Sequence, residues 1–182
     1  MLIRDDGLLE GTKFIASPNF DLRPFNTDID LLVIHCISLP KGEFGNNHIA
    51  ELFLNQLDFT KHPSFSSLIG LKVSAHLVIY RTGEIVQFVP FHLRAWHAGE
   101  SCFQGKSNCN DFSVGIELEG TIDVNYTAIQ YEKLIAVTQA LCRKYTKITQ
   151  ERIVGHSDIA SGRKADPGLL FNWQYYRQQV FK

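Results

Sequence analysis

Leu31-Leu32-Val33-Ile34-His35 decides how the rest of the chain is read. Its continuous apolar run is too short for a helix, so it reads as a buried strand that ends on an imidazole. Further strands follow. Residues 75–80 and 84–89 are β-rich runs joined by Arg81-Thr82-Gly83, a three-residue connection with glycine at the left-handed position, and they read as a hairpin. Residues 112–119 alternate, with Val114, Ile116 and Leu118 on one face and Gly115, Glu117 and Glu119 on the other, as in a half-buried strand. Arg152-Ile153-Val154-Gly155 is a short strand that delivers His156. Helical spacing of Ile49, Leu52 and Phe53 predicts a helix over 46–57. Thr127 followed by Gln130 has the form of a capping box, opening a helix to about Tyr145 with Leu134, Val137 and Leu141 on one stripe. Trp173, Tyr176 and Val180 mark a last helix. Residues 1–29 are polar and punctuated by proline, an irregular arm, and residues 91–110 form a long loop around Trp96-His97-Ala98-Gly99. With no repeat and no linker, residues 1–182 read as a single domain of mixed α/β class, its strands gathered in one sheet.

Composition excludes several classes of function. A chain of 182 residues with 45% apolar content can bury a sizeable core. The net charge is −1 and the basic residues are scattered, so neither a nucleic-acid footprint nor a polybasic membrane patch is expected. No run approaches the ~20 apolar residues of a transmembrane helix. The opening Met1-Leu2-Ile3-Arg4-Asp5-Asp6 carries acids early and lacks the apolar stretch of a secretory signal. Cys36, Cys102, Cys109 and Cys142 form no CxxC pair, so free thiols in a reducing cytoplasm are expected, with a Cys102–Cys109 disulfide as the alternative. No obligatory protein partner is evident.

The chemistry concentrates in the segment from Gly155-His156-Ser157-Asp158 to Arg163-Lys164-Ala165-Asp166-Pro167-Gly168. Its glycines and proline forbid a long helix or a regular strand, so it presents its polar groups from a loop. His156 and Asp166, with His35 from the first strand, supply two imidazoles and a carboxylate. That donor set suits a catalytic zinc site with one position open to water. Lys164 lies two residues from Asp166 and offers a cation for an oxyanion. Glu117 lies on the non-core face of its strand and offers a general base, although Glu119 shares that face. His76 and His97 read as neighbours of the site, and Trp96 among small residues reads as a flat apolar platform. Each of these residues also has a plain structural reading.

Several segments together resemble a known family. They are His35-Cys36-Ile37-Ser38-Leu39-Pro40, Val73-Ser74-Ala75-His76, Arg94-Ala95-Trp96-His97-Ala98-Gly99, the stretch from Cys109 to Gly120, and the Gly155–Gly168 loop. In order and over nearly the whole chain they resemble the AmpD amidases, cytoplasmic enzymes among the type 2 zinc amidases and peptidoglycan recognition proteins. The resemblance implies a central mixed β-sheet flanked by helices and one zinc ion on His35, His156 and Asp166, with Glu117 and Lys164 as the catalytic pair. It implies hydrolysis of the lactyl–L-alanine amide of 1,6-anhydro-N-acetylmuramyl peptides, a small-molecule substrate of peptidoglycan recycling. It also places Cys36, Lys72, Ala95, Trp96 and Asn108 at substrate-contact positions. The family pattern has asparagine where Cys36 stands and arginine where Lys72 and Asn108 stand. Lysine keeps the charge of arginine but not its bidentate fork, so the preference for stem-peptide length does not carry over. Two other readings are an amidase acting on intact peptidoglycan and a muropeptide-binding protein without catalysis. The complete set of ligand-type and catalytic residues argues against the second.

Overall fold

The computed structural model describes residues 1–182. In chain order the strands and helices are β1 (Lys13–Phe14), β2 (Phe20–Asp21), β3 (Leu31–Ile37), α1 (His48–Phe53), β4 (Leu77–Ile79), β5 (Ile85–Gln87), β6 (Arg94–Ala95), β7 (Cys102–Phe103), β8 (Lys106–Ser107), β9 (Ser113–Glu119), α2 (Ala128–Lys144), β10 (Ile153–Gly155), α3 (His156–Ile159) and α4 (Trp173–Val180). Six strands form one mixed sheet in the order β1-β5-β4-β9-β3-β10. β4, β9, β3 and β10 run parallel, and β5 returns antiparallel to β4. No helix is long and apolar enough to cross a membrane.

The alternation of side chains along the central strands separates two faces. Leu32, Ile34, Val114, Ile116, Leu118, Leu77 and Ile79 pack with Leu134, Val137 and Leu141 of α2 and with Tyr176 of α4. On the other face, Leu31 and Val33 pack with Ala98, Cys109, Phe112, Val154 and Ile159. This second layer changes the reading of β9. The alternation predicts a half-buried strand, but the loop over 91–111 covers the face that would have met water. Ser113 and Gly115 are therefore buried, and Glu119 at the other end of the strand is buried against the Gly45 and Arg81 backbone, as is usual for parallel strands at the centre of a sheet. The arm over 1–29 is also less irregular than expected. Its β1 pairs with β5, and Ile15 and Ser17 donate backbone hydrogen bonds to the carbonyls of Gln87 and Phe88. That pairing covers the open edge of the sheet, where unpaired backbone groups would otherwise invite association.

Local signals set most element boundaries. The Thr127 hydroxyl accepts from the Gln130 amide while the Gln130 side chain accepts from the Thr127 amide, closing the capping box. The β4–β5 hairpin turns at Gly83, whose φ is +85°. The first helix is shorter than the apolar spacing predicts, ending before Asn55, which takes a left-handed conformation at φ 57°. Leu134→Ala, which empties core volume beneath α2, is expected to cost roughly 2–5 kcal/mol. Thr127→Ala, which removes only the cap, is expected to cost about 1 kcal/mol. Urea unfolding midpoints at an unchanged m-value measure both.

Candidate metal centre and active site

Register brings the reactive groups together. His35 on β3 is the direct cross-strand partner of Glu117 on β9, and Gly155 on β10 pairs with Ile34, so His156 emerges beside His35. All three residues thus stand at the C-terminal ends of adjacent parallel strands, where open α/β sheets place their ligands. Asp166 enters from the loop after α3, which folds back so that the Ser157 amide donates to the Asp166 carbonyl.

Three atoms converge. His35 Nδ1 lies 3.0 Å from His156 Nδ1 and 3.2 Å from Asp166 Oδ2, and His156 Nδ1 lies 3.1 Å from that same oxygen. Ligands about 2.0–2.1 Å from a tetrahedral zinc sit roughly 3.3 Å apart, so this triangle is close to the face such an ion requires. His35 and His156 are nearly fully buried, at 1% and 4% exposure. Two imidazole nitrogens and a carboxylate turned toward one point satisfy each other poorly and a divalent cation well, so the three residues could hold a metal ion. Beside them Glu117 Oε1 is 4.0 Å from His35 Nδ1, and Glu117 Oε2 is buried without a hydrogen-bond partner. A buried carboxylate oxygen left unpaired is costly, and the fourth position of a metal centre, where water and substrate enter, gives it a role.

The electrostatics follow from burial and from these contacts. Desolvation lowers the His35 pKa to about 4 despite the opposing pull of the Asp166 carboxylate, so the ring is neutral, as a ligand must be. Burial acts to raise the Asp166 pKa, but the His156 and His35 imidazoles beside it outweigh that and hold the carboxyl below the usual carboxylate range. Glu117 moves the other way. Burial and the nearby Asp166 push it well above its ordinary value, with Lys164 opposing. Two carboxyl groups in one site are thus driven apart in pKa, a separation that could suit one to a cation and the other to a proton.

The remaining candidates divide. Lys164 is exposed on its loop, and its charge acts on both Glu117 and His35. Glu119 is excluded as the base: its two carboxylate oxygens accept from the Gly45 and Arg81 amides, so it ties loops to the sheet. Cys36 lies outside the three-residue cluster. Strand alternation turns it to the α2 face, away from the three converging atoms, where burial pushes its thiol up to about 12. Cys36 also borders a hollow of about 290 Å³ shared with Ser38, Lys41, Thr121 and Asp166. Lys72 and Asn108 are exposed and line two other hollows. Ala95 is fully buried in the β2–β6 pair, so its side chain is not a surface contact, whereas Trp96 beside it is partly exposed.

Other polar residues around the centre were hard to see in the sequence. His97 Nδ1 lies 2.9 Å from His35 Nε2, and Asn110 Oδ1 accepts from the His97 and Ala98 amides. The Ala98 carbonyl in turn faces His156 Nε2 at 3.1 Å. Gly115 admits the His97 ring, since a Cβ at 115 would lie 2.3 Å from its Cγ. The arginine of the N-terminal arm, Arg23, donates to the carbonyls of Phe91, Asn110, Asp111 and Ser113, pinning both ends of the loop that carries Trp96 and His97. The one cue to these contacts was the placement of His97 in a long loop, and nothing in the spacing pointed to Arg23, Asn110 or Ser113.

This sheet, with a His-His-Asp cluster and a largely buried glutamate at its strand ends, is the arrangement of an amide hydrolase. Residues 25–169 match the family Amidase_2, N-acetylmuramoyl-L-alanine amidase, and the chain belongs to that family. Over 181 residues it is 50% identical to the 1,6-anhydro-N-acetylmuramyl-L-alanine amidase AmpD of Escherichia coli (strain K12), an alignment covering 100% of this chain and 98% of that one. The enzyme of the same name from Citrobacter freundii is 49% identical over 98% of this chain and 95% of its own. The crystal structure of a selenomethionine AmpD derivative matches with a TM-score of 0.96 at 50% identity, covering 99% of both chains. The Escherichia coli amidase AmiD, solved with the substrate anhydro-N-acetylmuramic acid-L-Ala-D-gamma-Glu-L-Lys, matches with a TM-score of 0.60 at 31% identity, over 86% of this chain and 60% of that one.

A pH test follows for the metal-free protein. Because the Glu117 pKa is raised on folding, the folded state holds a proton that the unfolded state releases above its ordinary value of 4.5, so this residue costs stability as pH rises. Metal-free Glu117→Gln is therefore expected to be more stable than the metal-free parent at neutral pH. The gap closes as pH falls below that value. Thermal melts across the range measure it.

Proposed function

We propose that this chain hydrolyses the amide between the lactyl group of 1,6-anhydro-N-acetylmuramic acid and the L-alanine of its stem peptide. In this reading residues 1–182 act as one amidase domain with one zinc ion, in cytoplasmic recycling of peptidoglycan fragments. The observation that carries it is the triangle of His35, His156 and Asp166 ligand atoms with the unpaired Glu117 carboxylate at its side. The 50% identity to a relative named for this substrate supports it. The free thiols of Cys36, Cys102, Cys109 and Cys142 accord with a reducing compartment.

A zinc ion held by His35, His156 and Asp166 supplies a Lewis acid for the scissile carbonyl and brings the pKa of water down to about 7. The protein does the rest. Glu117, beside the three converging ligand atoms, takes the proton from the attacking water and delivers it to the departing alanine nitrogen. Lys164 brings a positive charge toward the oxygen that becomes negative as the carbonyl is attacked. Cleavage breaks the C–N bond, with the hydroxyl going to the lactyl carbon and the proton to nitrogen, so no redox partner is needed. The partly exposed Trp96 ring offers a flat face to the sugar. Lys72 and Asn108, in separate hollows, contact the stem peptide only where it extends along them.

Glu117→Ala is expected to keep its zinc and lose roughly 10²–10⁴ in turnover. Mass spectrometry of stem peptide released from soluble anhydro-muropeptide, with metal analysis of the same samples, checks this. Full activity of the chelated, metal-free protein would overturn the reading. Faster cleavage of intact sacculi than of the soluble fragment would instead favour an amidase of the polymer.

A further inference from the structure

The imidazole of His35 does not end at the metal centre. Its Nε2 lies 2.9 Å from His97 Nδ1, His97 Nε2 lies 3.0 Å from Ser113 Oγ, and Ser113 Oγ lies 2.6 Å from the Cys109 carbonyl oxygen. These groups are all buried: Cys109 and Ser113 are at 0% exposure, His35 at 1% and His97 at 9%. Their distances are those of made hydrogen bonds.

The direction of this chain is forced from its far end. A carbonyl oxygen can only accept, so the Ser113 hydroxyl spends its one proton on Cys109. The Ser113 oxygen must then accept, and His97 donates to it through Nε2–H. A neutral His97 with its proton on Nε2 has a bare Nδ1, which accepts from His35. His35 therefore carries its proton on Nε2, and its Nδ1 lone pair is left facing His156 and Asp166. We propose that His97 and Ser113 are positioning residues that lock His35 into the tautomer able to bind a metal ion, with the Cys109 carbonyl setting the polarity of the relay. Gly115 belongs to the same device, since any side chain there would displace the His97 ring. The other histidine of the centre is set more simply, by one carbonyl, as His156 Nε2 faces Ala98.

The device acts at a distance. Ser113 is fully buried and its hydroxyl bonds to none of the three ligand atoms, yet it decides which nitrogen of His97 is protonated. Without it, His97 is free to place its proton on Nδ1. That proton would meet the one on His35 Nε2, or drive His35 to carry its proton on the nitrogen that faces the centre. Partners of this kind behind a ligand histidine are typically worth roughly 10–100-fold in metal affinity.

This inference rests on the zinc reading above, and one set of measurements separates the two. Zinc affinity of the parent, Ser113→Ala, His97→Leu and His97→Asn is measured by competition with a chromophoric chelator. Side-chain ¹H–¹⁵N correlation spectra of the zinc-loaded parent assign each tautomer. Ser113→Ala and His97→Leu are expected to bind zinc roughly 10–100-fold more weakly. His97→Asn, whose Oδ1 can stand where Nδ1 stood, is expected to recover most of the loss. The spectra are expected to show both His35 and His97 protonated on Nε2. If His97→Leu does not fold, Ser113→Ala and the parent spectra still decide. A parent that binds no zinc overturns both readings. Equal affinity of parent and Ser113→Ala, or a His97 proton on Nδ1, overturns the relay alone.

Discussion

The parallel register of β3 against β9 is the constraint on which the rest of the structure depends. It sets His35 directly across from Glu117, and the pairing of β10 on the other side of β3 sets His156 next to His35. A slip of one residue in either pairing would turn one partner to the α2 face, because side chains alternate with a period of two. The apolar residues that alternate with the reactive ones prevent that slip. Leu32, Ile34, Val114, Ile116 and Leu118 all have to face α2. The hydrophobic core on one side of the sheet therefore fixes the geometry of the polar site on the other.

Such a site is expensive to bury, and the surrounding structure shows how the cost is met. The outward nitrogens of His35 and His156 have partners in His97 and the Ala98 carbonyl, and the loop carrying both partners is pinned by Arg23 and Asn110. Arg94, bonded to Asp21 and Asp111, fastens the same loop to the N-terminal arm. What faces inward is the three converging atoms of His35, His156 and Asp166, which have only one another, and one oxygen of Glu117 without a partner. Rigid polar satisfaction outside and frustration inside is what a preorganised metal site requires.

Much of this was legible along the chain. The runs at Leu31–His35 and Arg152–Gly155, the alternation before Glu119 and the cap at Thr127 all mark real elements, since short-range periodicity and capping depend only on neighbouring residues. The segment from His156 to Asp166 declared its ligand types in the same way. The expectations that shifted depended on long-range cover. The 112–119 strand looked half-exposed because nothing in its alternation reveals that the 91–111 loop lies over its polar face. Glu117 and Glu119 were equivalent by position, and only the Gly45 and Arg81 amides from distant loops single out Glu119 as structural. Cys36 adjoins His35 in sequence, but the pleat sends it to the opposite face.

The sequence by itself determined the elements, the chemical types at the centre and the family, because periodicity, capping and motif order are written locally. Only the tertiary structure decided which carboxylate stands beside the histidines, which nitrogen of each imidazole faces inward, and that a serine and a backbone carbonyl stand behind His35. Those outcomes depend on strand register and on contacts between residues tens of positions apart. Burial then magnifies them, because a polar atom removed from water must find its partner wherever the fold puts one.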